Sequence, residues 1–346
     1  MPGQFPLRSG AAGEAVRDLQ RRLATAGYAP VGPVSGEFCT ATSAAVRSFQ
    51  EHRGLIVSGE CDEETWRAVV EATWKLGDRL LVLTAPNLRG DDVAELQAQL
   101  GRLGFDAGRV DGIFGPSTAH ALADFQRNCG LNPDAVCGPD TVSALAVLAR
   151  QSGSGPGVST VRERDQLTAV TRSLSELRII VGQFGGLSSL SRRLVQGLRQ
   201  RGALVVTSDE PDASSQARSA NRFAATVYVG LESRPAEHSV VHFYQVPEFE
   251  SAGGRALAER IAAEYGRYPT LPPLLVKGMR LPVLRETRMP AVLFAIGPVQ
   301  STLDHAAALV DSIVDALESW ADCPIDSSTD DTSSTDDTSS TDSTSP

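Results

Sequence analysis

The first half of the sequence contains one pattern twice, and this repeat restricts the fold more than any other feature. The two copies lie about 76 residues apart, so each has the length of one small domain. The matching segments are Leu19-Gln20, Leu23, Gly27-Tyr28 and Val46-x-x-Phe49-Gln50-x-x-x-Gly54-Leu55 in the first copy, and Leu96-Gln97, Leu100, Gly104-Phe105 and Leu122-x-x-Phe125-Gln126-x-x-x-Gly130-Leu131 in the second. We therefore predict two related domains, at residues 7–76 and 84–150.

Each copy also contains two occurrences of a shorter motif, in which a glycine turn leads into a helix. The four occurrences are Ser35-Gly36-x-Phe38 to Thr42, Ser58-Gly59-x-Cys61 to Thr65, Asp111-Gly112-x-Phe114-Gly115-Pro116 to Thr118, and Asp134-x-x-Cys137-Gly138-Pro139 to Thr141. Glycine permits the positive φ of such a turn, and a proline in the first helical turn loses no hydrogen bond. Apolar residues between the turns have helical spacing, as at Val16, Leu19 and Leu23. Each copy is therefore predicted to be a compact three-helix unit.

This pattern resembles the type 1 peptidoglycan-binding domain, present twice over nearly all of residues 7–148. The resemblance implies affinity for cell-wall glycopeptide or for a soluble precursor of it. Most motif residues also have a purely structural interpretation. Phe49 and Phe125 are predicted to lie in the core, and Cys61 and Cys137 to be small buried apolar residues rather than reactive thiols.

The second half of the chain has a different periodicity. A glycine- and serine-rich segment at 151–157 marks a boundary, and residues 151–176 are predicted to form a linker and a lead-in helix. Beyond them, short apolar strands alternate with amphipathic helices up to residue 322. The predicted strands are 178–181, 203–207, 226–230, 240–244 and 291–296, and the predicted helices are 188–201, 212–224, 254–265 and 302–320. This order indicates an α/β layered domain with a mostly parallel sheet, at residues 177–322.

One block near the end of this domain has a specific resemblance. Leu284-Arg285-Glu286-Thr287-Arg288-Met289-Pro290-Ala291-Val292-Leu293 is similar to the segment that enters the last strand of type 3 N-acetylmuramoyl-L-alanine amidases. Two weaker landmarks agree with it, Gly185-Gly186 after the first strand and Ala220-Asn221-x-x-Ala224 before the third. The resemblance makes Arg285 a candidate cleft residue.

The resemblance also implies a zinc site, and the residues that would form it are largely absent. The amidase family takes zinc ligands from a His after the first strand, a Glu opening the next helix and a His ending the third strand, and a catalytic Glu from the last strand. In this chain Phe184 stands at the position of the first His, and no Asp, Glu or His between Gly186 and Gly202 could replace the ligand Glu. Glu232 stands at the position of the second His, and Ala295 at that of the catalytic Glu. A phenyl ring cannot bind zinc and one carboxylate cannot hold it, so we predict no catalytic residue, no metal and no cofactor. Zinc is expected only if the chain is an active amidase.

No other part of the sequence offers a convincing replacement site. His238 and His242 are four residues apart and would share one face of an extended segment. We expect two half-exposed imidazoles rather than metal ligands, because no third ligand lies nearby.

The composition argues against nucleic acid as a partner and against a membrane span. The 346 residues carry a formal net charge of −10, which argues against nucleic acid because phosphate binding requires clustered Lys and Arg. The amino-terminal segment has no apolar stretch of the signal-peptide kind, and no run approaches the roughly 18 apolar residues of a membrane span. Five cysteines without metal spacing suggest reduced thiols. We therefore expect a cytoplasmic protein with no membrane span.

The last segment, residues 323–346, is an acidic tail of Ser, Thr and Asp that cannot bury apolar surface and is expected to be disordered. It is interpreted as a solubilising tail or, alternatively, as a phosphorylation segment. The candidate acceptors in the second case are Thr329, Thr332, Thr335 and Thr338.

The whole arrangement resembles the CwlM-type amidase homologues of actinobacteria. That resemblance implies a non-catalytic regulator of peptidoglycan synthesis, acting through wall precursors, a cell-wall biosynthetic enzyme and a Ser/Thr kinase. The first hypothesis is therefore a peptidoglycan-binding pseudo-amidase. The second is a zinc-dependent amidase that hydrolyses the bond between muramic acid and the stem peptide, and a third is a purely structural role in wall anchoring.

Overall fold

The computed structural model describes residues 5–32, 34–149, 157–168, 172–234, 236–247 and 249–325. The helices are α1 Glu14–Thr25, α2 Thr40–His52, α3 Glu63–Glu71, α4 Asp91–Arg102, α5 Pro116–Asn128, α6 Pro139–Ala149, α7 Val158–Thr168, α8 Ser188–Gln200, α9 Ala213–Phe223, α10 Ala252–Tyr265, α11 Pro282–Glu286, α12 Val299–Asp304 and α13 Ala306–Asp322, with a short 3-10 turn at Leu174–Glu176. The strands are β1 Arg178–Phe184, β2 Leu204–Ser208, β3 Val227–Ser233, β4 Ser239–Val246, β5 Phe249–Glu250, β6 Leu274–Met279 and β7 Ala291–Ile296. The linker at 151–156 and the four tail threonines lie outside the described residues.

The repeats form two three-helix units, α1–α3 and α4–α6, as the sequence predicts. Each has its own apolar core, built around Phe49 in the first unit and Phe125 in the second, both fully buried. Cys61 and Cys137 are buried in these cores, as predicted, and burial raises the pKa of each thiol to about 12. The cores form because the helical faces with apolar spacing are turned towards one another.

Four buried glutamines explain the glycine turns of the repeats. In each case the side-chain oxygen accepts a hydrogen bond from a turn N–H at 2.8–3.0 Å, and the amide nitrogen donates to a threonine hydroxyl on the next helix at 2.9–3.2 Å. The glutamine, turn residue and threonine are Gln20, Gly36 and Thr42; Gln50, Gly59 and Thr65; Gln97, Gly112 and Thr118; and Gln126, Ala135 and Thr141. The turn residue has positive φ in all four, including 57° at Ala135. The repeated Gln, turn and Thr residues therefore form a set of side-chain hydrogen bonds, which we call the glutamine bracket, and this set holds each turn against a helix.

The second half of the chain forms one mixed sheet between two layers. The strand order is β2-β1-β3-β7-β4, with β6 and β5 pairing on the far side of β4. The pairs β1–β2, β1–β3, β3–β7 and β4–β6 are parallel, whereas β4 runs antiparallel to β7. Helices α8, α10 and α13 cover one face, while α9, α11 and part of the second repeat pack on the other. The prediction of a mostly parallel α/β layered domain is confirmed.

Some elements differ from the sequence predictions. Strands β5 and β6 and helix α11 were not predicted, and the last predicted helix is two helices that meet at His305. Strand β6 is hard to recognise because it lies at an edge with alternating exposure, and Lys277 interrupts its apolar run. Among the residues that the structure describes, no helix is long and apolar enough to cross a lipid bilayer.

Candidate functional site

Three of the predicted site positions lie side by side at the carboxyl-terminal ends of three neighbouring strands. The register of the parallel strands pairs Phe184 of β1 with Glu232 of β3, and Glu232 with Ala295 of β7. All three lie near the carboxyl ends of their strands, where open α/β sheets bind their ligands. Because side chains alternate along a strand, the three project from the sheet face that also carries Tyr228 and Leu293. We call these three residues the edge row.

The edge row offers little coordinating chemistry. Phe184 packs against the apolar cluster on this face, and Ala295 is buried. Oε2 of Glu232 accepts a hydrogen bond from Nε of Arg234 at 2.7 Å, so the carboxylate is already in an ion pair. Within the described ranges, no group of three or more His, Cys, Asp and Glu side chains is placed to hold a metal ion. The edge row therefore provides one paired carboxylate and two side chains without a donor atom.

The sheet face below the edge row is closely packed. The Tyr228 hydroxyl donates to Oε1 of Gln216 at 2.7 Å, and Nε2 of Gln216 donates to the carbonyl oxygens of Gln183 and Glu210. Burial raises the pKa of Tyr228, so the phenol stays protonated. A Cβ atom at Gly182 would lie 2.0 Å from Gln216 Oε1 and 2.3 Å from the Tyr228 hydroxyl, so a larger residue there would displace this hydrogen-bonded pair. Within the edge row itself, Phe184 and Glu232 are partly exposed, whereas Ala295 is buried.

Arg285 lies elsewhere, at the contact between the sheet domain and the first repeat. It is on α11, before β7, and is 8% exposed. Its Nη1 lies 3.0 and 3.1 Å from the two carboxylate oxygens of Glu71 on α3, and Nη2 of Arg280 lies 2.5 Å from one of them. Burial alone would raise the pKa of Glu71, but the two guanidinium groups hold it below its usual value. The candidate cleft residue is thus part of a buried charge triad that joins two domains.

Further polar contacts fix both repeats on the sheet domain. Nη1 of Arg89 lies 2.8 Å from Oε1 of Glu286, and the Tyr244 hydroxyl donates to the carbonyl oxygen of Val110 at 3.0 Å. The backbone N–H of Arg280 donates to the carbonyl oxygen of Gly54 at 2.7 Å. The segment between β6 and β7, part of which bears the amidase resemblance, therefore contacts both repeats, and β4 adds a contact through Tyr244.

A cavity of about 240 Å³ lies beside this triad, between α3, α9 and α11. Glu64 of α3 lines it, and Oε1 of Glu64 is buried without a hydrogen-bond partner among the described residues. Burial, together with the nearby Asp62, raises the pKa of Glu64 to about 7, while Arg280 and Arg234 oppose the rise. The Glu232 carboxylate of the edge row is close enough to raise this pKa further. The first repeat thus brings a carboxyl group with a raised pKa within electrostatic range of Glu232.

Sequence reasoning missed Glu64, Glu71 and Arg280. One signal was available for Glu71, because the helical spacing places it on the same side of α3 as the buried Ala68. An acid on an apolar face requires a buried partner, although the sequence does not say which one.

The expectation for the two histidines is only partly met. His238 is partly exposed as expected, but the expectation was wrong for His242, which is 5% exposed. Burial lowers the pKa of His242 to about 4, so the ring is neutral at pH 7. The reason is that β4 lies between β7 and β6, and the side chains of a central strand are enclosed on both faces.

The titration of Glu64 predicts a measurable pH effect on stability. Its folded-state pKa is raised from 4.5 to about 7, so the folded protein binds this proton more tightly than the unfolded chain. The associated stability is complete below the unfolded pKa and is lost as the pH rises through the folded pKa. We expect the free energy of unfolding to fall by about 2 kcal/mol relative to a Glu64→Gln variant as the pH rises from 5 to 8.

Urea unfolding at a series of pH values measures this difference. The control is Glu63→Gln on the exposed side of the same helix, which should follow the wild-type pH profile. Parallel profiles for wild type and Glu64→Gln would show that Glu64 titrates normally.

Comparisons with known proteins agree with this arrangement of domains. Residues 12–69 and 89–145 match the peptidoglycan binding domain family. The N-acetylmuramoyl-L-alanine amidase CwlM of Mycobacterium tuberculosis is 34% identical over 305 residues, which cover 79% of this chain and 75% of that protein. The N-acetylmuramoyl-L-alanine amidase CwlL of Bacillus licheniformis is 30% identical over 149 residues, covering 37% and 41% of the two chains.

Solved structures of two N-acetylmuramoyl-L-alanine amidases are also similar to part of this chain. The N-acetylmuramoyl-L-alanine amidase AmiC2 of Nostoc punctiforme has a TM-score of 0.35 and 16% identity, with 41% of this chain and 97% of that chain covered. Ami1 from Mycobacterium smegmatis has a TM-score of 0.35 and 15% identity, with 42% and 97% covered.

Proposed function

This chain belongs to the family of the N-acetylmuramoyl-L-alanine amidase CwlM, with two peptidoglycan-binding domains before an amidase-like domain, and from that premise we propose that it is a non-catalytic pseudo-amidase. Its repeats bind cell-wall glycopeptide or a soluble precursor of it. Its amidase-like domain recognises wall material or a biosynthetic enzyme without cutting. The protein thereby regulates peptidoglycan synthesis.

The observation that carries this proposal is the chemistry of the edge row. Hydrolysis of the kind that the resemblance implies requires a zinc ion held by about three protein ligands, with an open position for water and a carboxylate base. Phe184 and Ala295 have no donor atoms, and Glu232 is paired with Arg234. These residues do not fit a zinc site, which supports recognition rather than hydrolysis.

Metal analysis and a hydrolysis assay test the proposal together. We expect purified protein, dialysed against micromolar zinc, to retain well below one zinc per chain, because one carboxylate cannot supply a tetrahedral ligand set. We also expect no release of stem peptide from purified sacculi. One tightly held zinc per chain, with peptide release that a chelator abolishes, would overturn the proposal.

The alternative is a zinc-dependent N-acetylmuramoyl-L-alanine amidase with a rebuilt site. Glu64 favours it, because a carboxyl group with a pKa of about 7 is suited to act as a general base and lies near Glu232. Under this alternative, peptide release from sacculi depends on Glu64 and is lost in Glu64→Gln. The same assay therefore separates the two candidates.

Regulation of synthesis places the protein inside the cell, with protein partners. Within the described residues, Cys39, Cys61, Cys129 and Cys137 form no disulfide bond, which supports a reducing compartment. A cell-wall biosynthetic enzyme and a Ser/Thr kinase that modifies Thr329, Thr332, Thr335 or Thr338 are the proposed partners. Pull-downs with the full chain and with a chain lacking residues 326–346 test whether the tail is needed, and cell fractionation tests the location.

A further inference from the structure

The cavity between the first repeat and the sheet domain has an unbalanced set of charges. Arg280 and Arg285 are both 8% exposed and both donate to one carboxylate, that of Glu71. Asp111 is close enough to Arg285 to interact with its charge, and burial raises the pKa of the Asp111 carboxyl group. The two buried guanidinium groups thus share hydrogen bonds to one side-chain carboxylate, that of Glu71, and a buried charge without a partner is costly.

Two side chains that line this cavity each have one buried polar atom without a hydrogen-bond partner among the described residues. One is Nη2 of Arg285, whose Nε and Nη1 are used by Asp111 and Glu71. The other is Oε1 of Glu64. The cavity therefore presents an unused cationic donor and an unused carboxyl oxygen, and buried polar atoms in native proteins are normally satisfied.

The more exposed arginines that line the cavity, Arg67 and Arg89, have side chains that are 65% and 40% exposed. Each is in an ion pair, Arg67 with Glu63 and Arg89 with Glu286, and Glu286 also lines the cavity. With about 240 Å³, the cavity is smaller than sites for drug-sized molecules, so it suits the end of a peptide better than a sugar chain.

We propose that this cavity binds the free carboxylate end of a short peptide, with Arg285 donating to the carboxylate and Glu64 engaging the adjacent amide N–H. The inference rests on the proposed function, because the stem peptide of wall glycopeptide ends in a carboxylate next to an amide. It assigns the peptide end to the junction of the two domains and leaves the glycan to other surfaces.

Calorimetric titration of the full chain with acetyl-D-alanyl-D-alanine and with its carboxy-terminal amide tests the proposal. We expect the carboxylate form to bind at least about tenfold more tightly than the amide, because a charge-assisted hydrogen bond is lost. Inorganic phosphate should bind more weakly than the peptide, since it lacks the amide. Equal binding of the two peptides, or phosphate binding as tight as that of the peptide, overturns the inference.

Variants locate the binding within the chain. Arg89→Gln and Glu64→Leu should each weaken binding of the carboxylate peptide about fivefold or more. The matched control is Arg127→Gln on α5, which also removes an arginine from a surface ion pair but lies outside the cavity. Unchanged affinity in both cavity variants contradicts the assignment. If a variant fails to fold, the affinities of wild-type protein for the carboxylate peptide and for the amide peptide still test whether the free carboxylate is recognised.

Co-sedimentation with purified sacculi separates this inference from the proposed function. Wild-type protein that sediments with sacculi but does not bind the peptide overturns the inference and leaves peptidoglycan binding in place. Protein that binds the peptide but does not sediment with sacculi overturns peptidoglycan binding and leaves the inference about the cavity in place. We expect Glu64→Leu to lose the peptide while still sedimenting with sacculi through its repeats.

Discussion

Replacing Glu71 by leucine is expected to lower the free energy of unfolding by about 3–5 kcal/mol, the cost of leaving buried charges without their counter-ion. Glu71 is bonded to both Arg280 and Arg285, and all three side chains are more than 90% buried. Removing the carboxylate leaves two guanidinium groups at the contact between α3 and α11. Urea unfolding, followed by fluorescence, measures the loss.

Two further variants make this prediction specific. Glu63→Leu changes an exposed acid on the same helix and should cost less than about 0.5 kcal/mol. Replacing the whole triad, with Glu71→Leu, Arg280→Met and Arg285→Met, should recover much of the lost stability, because well-packed apolar residues can substitute for a buried charge network. A Glu71→Leu variant as stable as Glu63→Leu would show that the triad contributes little.

Replacing Gln50 by leucine is expected to cost about 3 kcal/mol, the second large effect in this chain. Gln50 is fully buried and accepts hydrogen bonds from the N–H groups of Ser58 and Gly59 at 3.0 and 2.9 Å. Its amide nitrogen also donates to the carbonyl oxygen of Glu60 and to the Thr65 hydroxyl. Leucine has nearly the same volume but satisfies none of these groups. Thermal and urea unfolding of the full chain measure the effect.

The control for this variant is Gln196→Leu, at an exposed position of α8. It makes the same chemical change where no buried polar group loses a partner, so it should change stability by less than about 0.5 kcal/mol. Similar losses in the free energy of unfolding at both positions would mean that the glutamine bracket around Gln50 does not hold the turn at Ser58 and Gly59.

The fold was predictable where one periodicity extends over a whole element. The spacing of Val16, Leu19 and Leu23 predicts α1, and the continuous apolar run from Ala291 to Ile296 predicts β7 with the bounds that the structure has. The sequence also shows the paired Leu-Gln and Phe-Gln motifs of the repeats. It does not show why Gln recurs, because the partners of each glutamine lie 8 to 22 residues further along the chain.

The site was less predictable because it depends on contacts between distant parts of the chain. Periodicity says nothing about the pairing of Glu71 with Arg285, which lie 214 residues apart. The edge row is a similar case, because Phe184, Glu232 and Ala295 become neighbours only through the strand order β1-β3-β7. Family resemblance named these positions, and the sheet register places them in one line.

The contact between Glu71 and Arg285 also has a mechanical consequence. Helix α11 leads into β7, the central strand that carries Ala295, and only the short segment 287–290 separates them. A tensile force applied to the first repeat, for instance by a wall fragment attached elsewhere, is therefore transmitted through the triad to the middle of the sheet. A pulling experiment should accordingly find that the first repeat and the sheet yield at one common force rather than in separate steps.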